Sequence, residues 1–259
     1  MTRLVRTGAV IVAVAMCLMS GVARAAKVDP TMVLYMPFDD VGADKATDFS
    51  DAGNHGDLMG DAVIVEDEGV FFGALVLEPN SHVEVPGDAS LNLQDMTLMC
   101  WVRLDGDPGD QSAIERTAGW GAGEYNLLGD YGNAVLLQIF DLDDACDDEL
   151  ATGNIQDTEW HHIAGTYDSS EIVIYIDGDD VGGGPCDGEI ADVATPLYIG
   201  SRGGGQRFTH GAYDEIRIYN RALSKNEINQ VMDDGPVELL AVDARDRVAV
   251  TWGTLKSGV

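Results

Sequence analysis

Positive charge is scarce in this chain. Lys and Arg number 15 against 45 Asp and Glu in 259 residues, a formal net charge of −30. Phosphate backbones are gripped by Lys and Arg, so this balance argues against nucleic acid as a partner and against anionic membrane surfaces. It fits cation binding, or a secreted protein kept soluble by self-repulsion in salty water. Most of the surplus reads as solvated surface, because only a few carboxylates can ligate one ion.

Long apolar runs are also missing. The stretch from Ala9 to Met19 is too short to span a bilayer, which takes about 20 apolar residues, and no second run of that length follows. Arg3 and Arg6 precede it, and Ala23, Ala25 and Ala26 follow. A charged start, a short apolar stretch and an A-x-A site predict a signal peptide over residues 1–25. Met16 before Cys17 departs from the small residue of a lipobox, so no lipid anchor is expected. The reading is a secreted, periplasmic or cell-surface protein with no membrane insertion after cleavage.

Cysteine is sparse and never occurs as C-x-x-C, which disfavours zinc. Beyond the leader there are Cys100, Cys146 and Cys186. Cys100 lies in the apolar run Thr97-Leu98-Met99-Cys100-Trp101-Val102 and reads as a small buried hydrophobe. Cys146 sits among Asp143, Asp144, Asp147 and Asp148, and Cys186 follows Gly182-Gly183-Gly184-Pro185. Both look like exposed loops, and an oxidising compartment favours pairing them. Three cysteines allow three single bridges. Cys146–Cys186 is expected, because a core strand seldom reaches a loop tip.

What is present is strand after strand. Apolar or alternating stretches run over 32–38, 70–77, 81–86, 96–103, 125–128, 134–140, 160–167, 171–176, 196–200 and 212–219. Gly, Asp, Asn and Pro clusters separate them, as turns require. Asp177-Gly178 is a tight hairpin signal. One helix is predicted, opened by the capping box Ser224-Lys225-Asn226-Glu227 and stopped by Gly235-Pro236. The pattern predicts an all-β protein, a sandwich or barrel with one short C-terminal helix.

Phrases in a fixed order carry a resemblance. They include Asp48-Phe49-Ser50-Asp51-Ala52-Gly53-Asn54-His55-Gly56, Gly73-Ala74-Leu75-Val76-Leu77 and Thr97 to Val102. Then come Trp160-His161-His162-Ile163-Ala164-Gly165-Thr166-Tyr167-Asp168, Ile174-Tyr175-Ile176-Asp177-Gly178, and Tyr213-Asp214-Glu215-Ile216-Arg217-Ile218-Tyr219-Asn220-Arg221. Together they resemble the laminin G-like, concanavalin A-type lectin and glucanase domains. The resemblance implies a two-sheet antiparallel jelly-roll β-sandwich over residues 27–235, with Trp101, Trp160 and Tyr175 largely buried. It also implies one structural Ca²⁺ on the convex side, with Asp39 and Asp214 as side-chain ligands and Gly73 as a carbonyl donor. Hard oxygen donors from distant chain positions suit Ca²⁺.

Other motifs dissolve on inspection. His161 and His162 are neighbours on a strand, so they point to opposite faces and cannot share an ion. Asp177 to Gly182 opens like an EF-hand loop, but Val181 takes a ligand position and no Glu follows at the twelfth. Gly203-Gly204-Gly205 precedes no helix, so it is no dinucleotide fingerprint. The catalytic glucanases of this scaffold resemble a strand bearing Glu-x-Asp-x-x-Glu, whose carboxylates lie about 5–5.5 Å apart. The chain has no such strand and no serine nucleophile elbow, so no catalytic residue is assigned.

The expected function is an exported, non-catalytic binding or adhesion module for a glycan or cell-surface polymer, with structural calcium. The alternatives are a glycoside hydrolase-like carbohydrate-active enzyme and a purely structural envelope component. Candidate binding loops are Asp105–Gly123, with Trp120 as an aromatic platform, and Gly200–His210. Residues 236–259 read as a strand-like tail, with Val248, Val250 and Trp252 at strand period.

Overall fold

A computed structural model describes residues 29–106, 109–117, 121–140, 142, 146 and 152–235. The expected signal peptide, the tail after Gly235 and Trp120 lie outside the described residues. In chain order the strands are β1 (Met32–Met36), β2 (Lys45–Ala46), β3 (Gly56–Met59), β4 (Val63–Val65), β5 (Ala74–Leu77), β6 (His82–Val85) and β7 (Met96–Leu104). There follow β8 (Gln111–Arg116), β9 (Tyr125–Asp130), β10 (Leu136–Ile139), β11 (His161–Tyr167) and β12 (Glu171–Ile176). β13 (Asp179–Pro185), β14 (Leu197–Ile199), β15 (Gly211–Tyr219) and the helix α1 (Lys225–Asp234) complete the set.

The strands form two antiparallel sheets. Sheet A has eight strands in the order β13-β12-β11-β7-β15-β5-β4, with β1 also paired to β15. Sheet B has seven in the order β10-β9-β8-β14-β6-β3-β2. This is the two-sheet jelly-roll sandwich that the sequence predicted. Strands that neighbour in a sheet are distant in the chain, as when β7 pairs with both β11 and β15.

Period-two alternation builds the core. Leu98, Cys100 and Val102 on β7 join one cluster with Val83 and Val85 on β6, Ile114 on β8 and Leu127 on β9. Fixed inward positions interleave from the two sheets, the usual core of a sandwich. Gly165 marks a close approach of the sheets: a Cβ there would lie 2.9 Å from Leu137 Cβ of sheet B. The β12–β13 hairpin turns at Asp177 (φ 51°) and Gly178 (φ 77°). Two successive positive φ values give the primed turn that matches strand twist.

Several readings need correction. Asp105–Gly123, expected as a binding loop, contains β8. Arg116 on β8 points inward and is fully buried, donating to the carbonyls of Leu91, Val193 (2.7 Å), Thr195 (3.3 Å) and Asp88 (3.4 Å). Gly182 to Pro185, expected as loop, are the end of edge strand β13. Tyr175 is buried, and Trp101 and Trp160 keep only a minor part of their surface exposed, in line with rings expected to be largely buried. Trp101 lies on the outward side of β7, edge-on to His162 at 5.4 Å, and Trp160 precedes β11 beneath the Arg103 guanidinium at 5.4 Å.

Candidate functional site

Part of the outer face of sheet A is covered by the chain's own helix. Ser224 caps α1 with both halves of the capping box in place. Ile228 of α1 packs with Tyr35, Met99, Ala164, Tyr175 and Tyr219 into a second hydrophobic cluster. Beside it lies a buried polar group, complete except for Arg217 Nε, which has no hydrogen-bond partner. Glu215 accepts from the Tyr35 hydroxyl (3.1 Å) and from Arg217, whose Nη2 also donates to Gly235 O (2.7 Å). The Arg217 guanidinium sits over the Tyr35 ring at 4.5 Å.

Strand β15 changes partners midway, and this creates the first candidate site. Gly211–Tyr213 pair with β5, whereas Ile216–Tyr219 pair with β1. Between them the register against β7 is broken at Asp214–Arg217, and Glu215 has φ 54°. The end of β1 and the approach to β5 therefore converge on Asp214. Phe38 and Phe72, just before Asp39 and Gly73, also have positive φ, 56° and 55°. Strained non-glycine residues gathered at one place are a mark of a functional site.

Asp214 is fully buried. Its Oδ2 accepts from Phe71 N at 2.9 Å, while Oδ1 has no hydrogen-bond partner. Burial pushes its carboxyl up to about 8, opposed by the Phe71 N–H and helped by Glu215 and Asp39. Asp39 is half-buried, raised by burial and opposed by the Gly73 N–H, which donates to its Oδ1 at 3.1 Å. A Cβ on Gly73 would strike the Phe38 carbonyl, and one on Gly69 would strike the Gly73 carbonyl and the Asp214 carboxylate. The structure thus brings the three predicted residues Asp39, Gly73 and Asp214 together and adds Gly69 and the Phe38 carbonyl. No group of three His, Cys, Asp or Glu that could hold a metal occurs among the described residues. This cluster is two carboxylates amid backbone carbonyls, a donor set of hard oxygens.

Sheet B presents a different outer face. Along one row lie Gln138, Asn126, Glu115, Tyr198, Glu84 and Asp57, matched across β10, β9, β8, β14, β6 and β3. The first three are buried, Tyr198 and Glu84 are half-buried, and Asp57 is exposed. Glu115 accepts from the Ser112 hydroxyl and pairs with Arg202 at 3.3 Å. Burial still raises its carboxyl, against Ser112 and Arg202. Asn126 donates to Gln138 at 3.2 Å, but its buried Oδ1 has no partner. Beyond this row His82 stands between Tyr198 and Phe208. The loop Gly200–His210, expected to bind, therefore does lie on this face, through Arg202, Arg207 and Phe208. Sequence reasoning missed Glu115, Asn126 and Tyr198; alternation on β14 was the available signal for Tyr198.

Cys146 and Cys186 form the expected disulfide, across a separation of 40 residues, and Cys100 is the free cysteine among the described residues. Cys146 follows β10 and Cys186 follows β13, so the bridge joins the edge of sheet B to the edge of sheet A. Neither cysteine is exposed, contrary to expectation: both are within 1% of full burial and belong to the main core. Burial also holds the Cys100 thiol well above its ordinary value.

A family model described as the concanavalin A-like lectin/glucanases superfamily matches residues 77–229. No sequence among curated proteins matches. Among solved structures, domain 4 of AbnA, a GH43 extracellular arabinanase from Geobacillus stearothermophilus in complex with arabinotriose, aligns with TM-score 0.64. It is 15% identical, over 77% of this chain and 97% of that one. The binding domain of Paraclostridial Mosquitocidal Protein 1 aligns with TM-score 0.63 and 19% identity, over 79% of this chain and 52% of that one. Trypanosoma rangeli sialidase aligns with TM-score 0.58 and 16% identity, over 78% of this chain but only 32% of its own. At these identities the likeness is one of fold.

Proposed function

We propose, from the premise that the chain belongs to the concanavalin A-like lectin/glucanases superfamily, that it is an exported, non-catalytic glycan-binding module stiffened by one Ca²⁺ ion. One observation carries the binding reading: α1 covers part of the outer face of sheet A, whereas the polar and aromatic side chains on the outer face of sheet B, half-buried at Tyr198 and Glu84, have no helix over them among the described residues. A half-buried aromatic and polar face is the kind of surface that fixes a sugar by stacking and hydrogen bonds. The domain from an arabinanase, solved with arabinotriose, lends support by fold. Export is supported by the formed disulfide, since oxidising compartments are where such bridges persist.

Calcium would be held by the carboxylates of Asp39 and Asp214 and the carbonyl of Gly73. The unpartnered Asp214 Oδ1 and the raised carboxyls fit it, because a buried carboxylate needs a compensating charge. When bound, the ion supplies positive charge where β15 pairs with neither β1 nor β5. It would stabilise the fold by mass action, because it binds only the native state. Thermal melts with Ca²⁺ and with chelator test this. Ca²⁺ should raise the melting temperature, and Asp214→Ala should lose most of the gain. An unmoved wild-type curve in chelator removes calcium from the reading.

A second reading, a carbohydrate-active enzyme, draws on the buried Glu115 and its neighbour Glu124. Their partners speak against it. Glu115 is engaged by Ser112 and Arg202, and Glu124 accepts from the Thr117 hydroxyl at 2.7 Å. Glycan-array binding without release of reducing ends is the result expected; turnover that Glu115→Gln abolishes would favour the enzyme.

A further inference from the structure

The geometry points to a sugar-stacking subsite centred on Phe208 on sheet B, backed by His82 and Tyr198 and with Asp110 and Arg207 at its polar edge, that takes a neutral sugar ring of a polysaccharide. This assignment rests on the glycan-binding reading and adds to it a place and a ligand class.

Three rings meet here from three separate segments. The His82 ring lies 5.8 Å from Tyr198 and 6.0 Å from Phe208, tilted to each by 51° and 46°. Alternation places His82 and Tyr198 on the outward side, because Val83, Val85, Leu197 and Ile199 face the core. A turn of small residues packs against His82 and Tyr198 and leaves Phe208 as the ring that lines open space. A Cβ on Gly204 would lie 3.0 Å from His82 Nε2 and 3.6 Å from the Tyr198 ring. Gly203 and Gly204 both have positive φ, 58° and 68°, so glycine is what lets the backbone approach this closely.

The cluster has an unmet polar demand. His82 is 7% exposed, yet its buried Nδ1 has no hydrogen-bond partner. Buried polar atoms are nearly always paired, so an orphan next to partly exposed rings asks for an outside group. Phe208 also lines a surface depression of about 340 Å³ with Pro79, Asp110 and Arg207. That volume lies within the range of small-ligand sites. Phe208 thus belongs both to the ring cluster and to open space able to hold a ring.

Chemistry narrows the ligand. An aromatic face packs against the apolar C–H face of a sugar, leaving hydroxyls at the rim. Asp110 is acceptor only and Arg207 donor only, so the two together match hydroxyls, which do both. They lie 3.6 Å apart, and their charges offset each other. His82 is held below its ordinary value by burial, against Glu84, and stays neutral at pH 7. With no local excess of positive charge and a net charge of −30 on the chain, the field repels uronates and sialates. A neutral polysaccharide is the class that remains.

Isothermal titration with soluble arabinan, β-glucan and galactomannan, and with polygalacturonate and alginate as acidic probes, tests the assignment. At least one neutral polymer should bind and the acidic ones should not. Phe208→Ala should weaken binding by about tenfold, the weight of one aromatic contact, whereas Phe208→Trp should retain it. If Phe208→Ala disturbs the melting curve, Asp110→Asn carries the test, since it changes charge without changing size. Neutral binding that survives both substitutions overturns the subsite and leaves the glycan reading standing. Binding of acidic polymers alone overturns the ligand class. Binding of none removes the subsite together with the reading on which it rests.

Discussion

The two outer faces of this sandwich are built from the same alternation and end in different conditions. On sheet A the outward side chains pack around Ile228 of α1: Glu215 has Tyr35 and Arg217, Arg217 has Gly235 O, and the buried His162 ring lies edge-on to Trp101 with neither ring nitrogen hydrogen-bonded. On sheet B the outward row runs from buried Asn126 and Glu115 to half-buried Tyr198 and Glu84, and Asn126 Oδ1 and His82 Nδ1 lack partners. Both faces hold buried polar atoms without partners, so what separates them is cover. The difference teaches that the same alternation yields a face partly taken up by a helix and a face where, among the described residues, half-buried rings lie without one.

The comparison breaks most readily at Arg217. Arg217→Ala leaves Glu215 buried without its cation, and losing one partner of a buried pair costs about 3–5 kcal/mol. Urea unfolding should show a loss of that order, with glycan affinity of the remaining folded protein unchanged. A loss of only a few tenths would mean that Arg217 does not hold this face as described.

Next in size is the bridge that joins the faces at one edge. Replacing Cys146 and Cys186 by Ser frees a loop of 40 residues and should cost about 2–4 kcal/mol. Reduced protein should show the same midpoint shift as the double serine variant. If reduction leaves the midpoint in place, the sheets need no clasp.

The smallest effect sits at the rim. Burial tends to lower His161, but Asp177 at 2.8 Å and Asp157 at 3.0 Å outweigh it, so its value is raised above 6.5. A raised folded value means that its stabilisation is complete below 6.5 and fades as pH rises through the folded value. His161→Gln should therefore flatten the stability–pH curve above 6.5 and leave both faces intact. An unchanged slope would show that the two aspartates do not hold a proton there.

Much of this was legible in the sequence, for physical reasons. β7, β11, β12 and β15 stand out as apolar stretches between turn residues, α1 carries its own capping box, and Asp-Gly marks the tight hairpin. β8 was not legible. Gln111-Ser112-Ala113-Ile114-Glu115-Arg116 offers two apolar residues, and its inward Arg116 reverses the alternation. Its burial depends on carbonyls from Leu91, Val193 and Thr195, which no local pattern announces. β13 was hidden because glycines have little strand preference; its pairing comes from β12. The Asp39, Gly73 and Asp214 cluster was found through a resemblance of phrases, whereas the ring cluster joins β6, β14 and the 200–210 loop and leaves no motif in any one of them.

The partner change on β15 has a mechanical consequence. A pull on the chain before Met32 loads the Arg221–Asp29 tie at 2.9 Å and the Asn220 N to Thr31 O bond at 2.8 Å, and then the Met32–Tyr219 pair. Tension then opens β1 one pair at a time, as in unzipping, until it reaches Met36–Ile216. The tear would arrive beside Asp39 and Asp214, where the ladder is already interrupted. An ion gripping both carboxylates at that tip would blunt the crack, so the force this domain withstands would follow the calcium content of its surroundings.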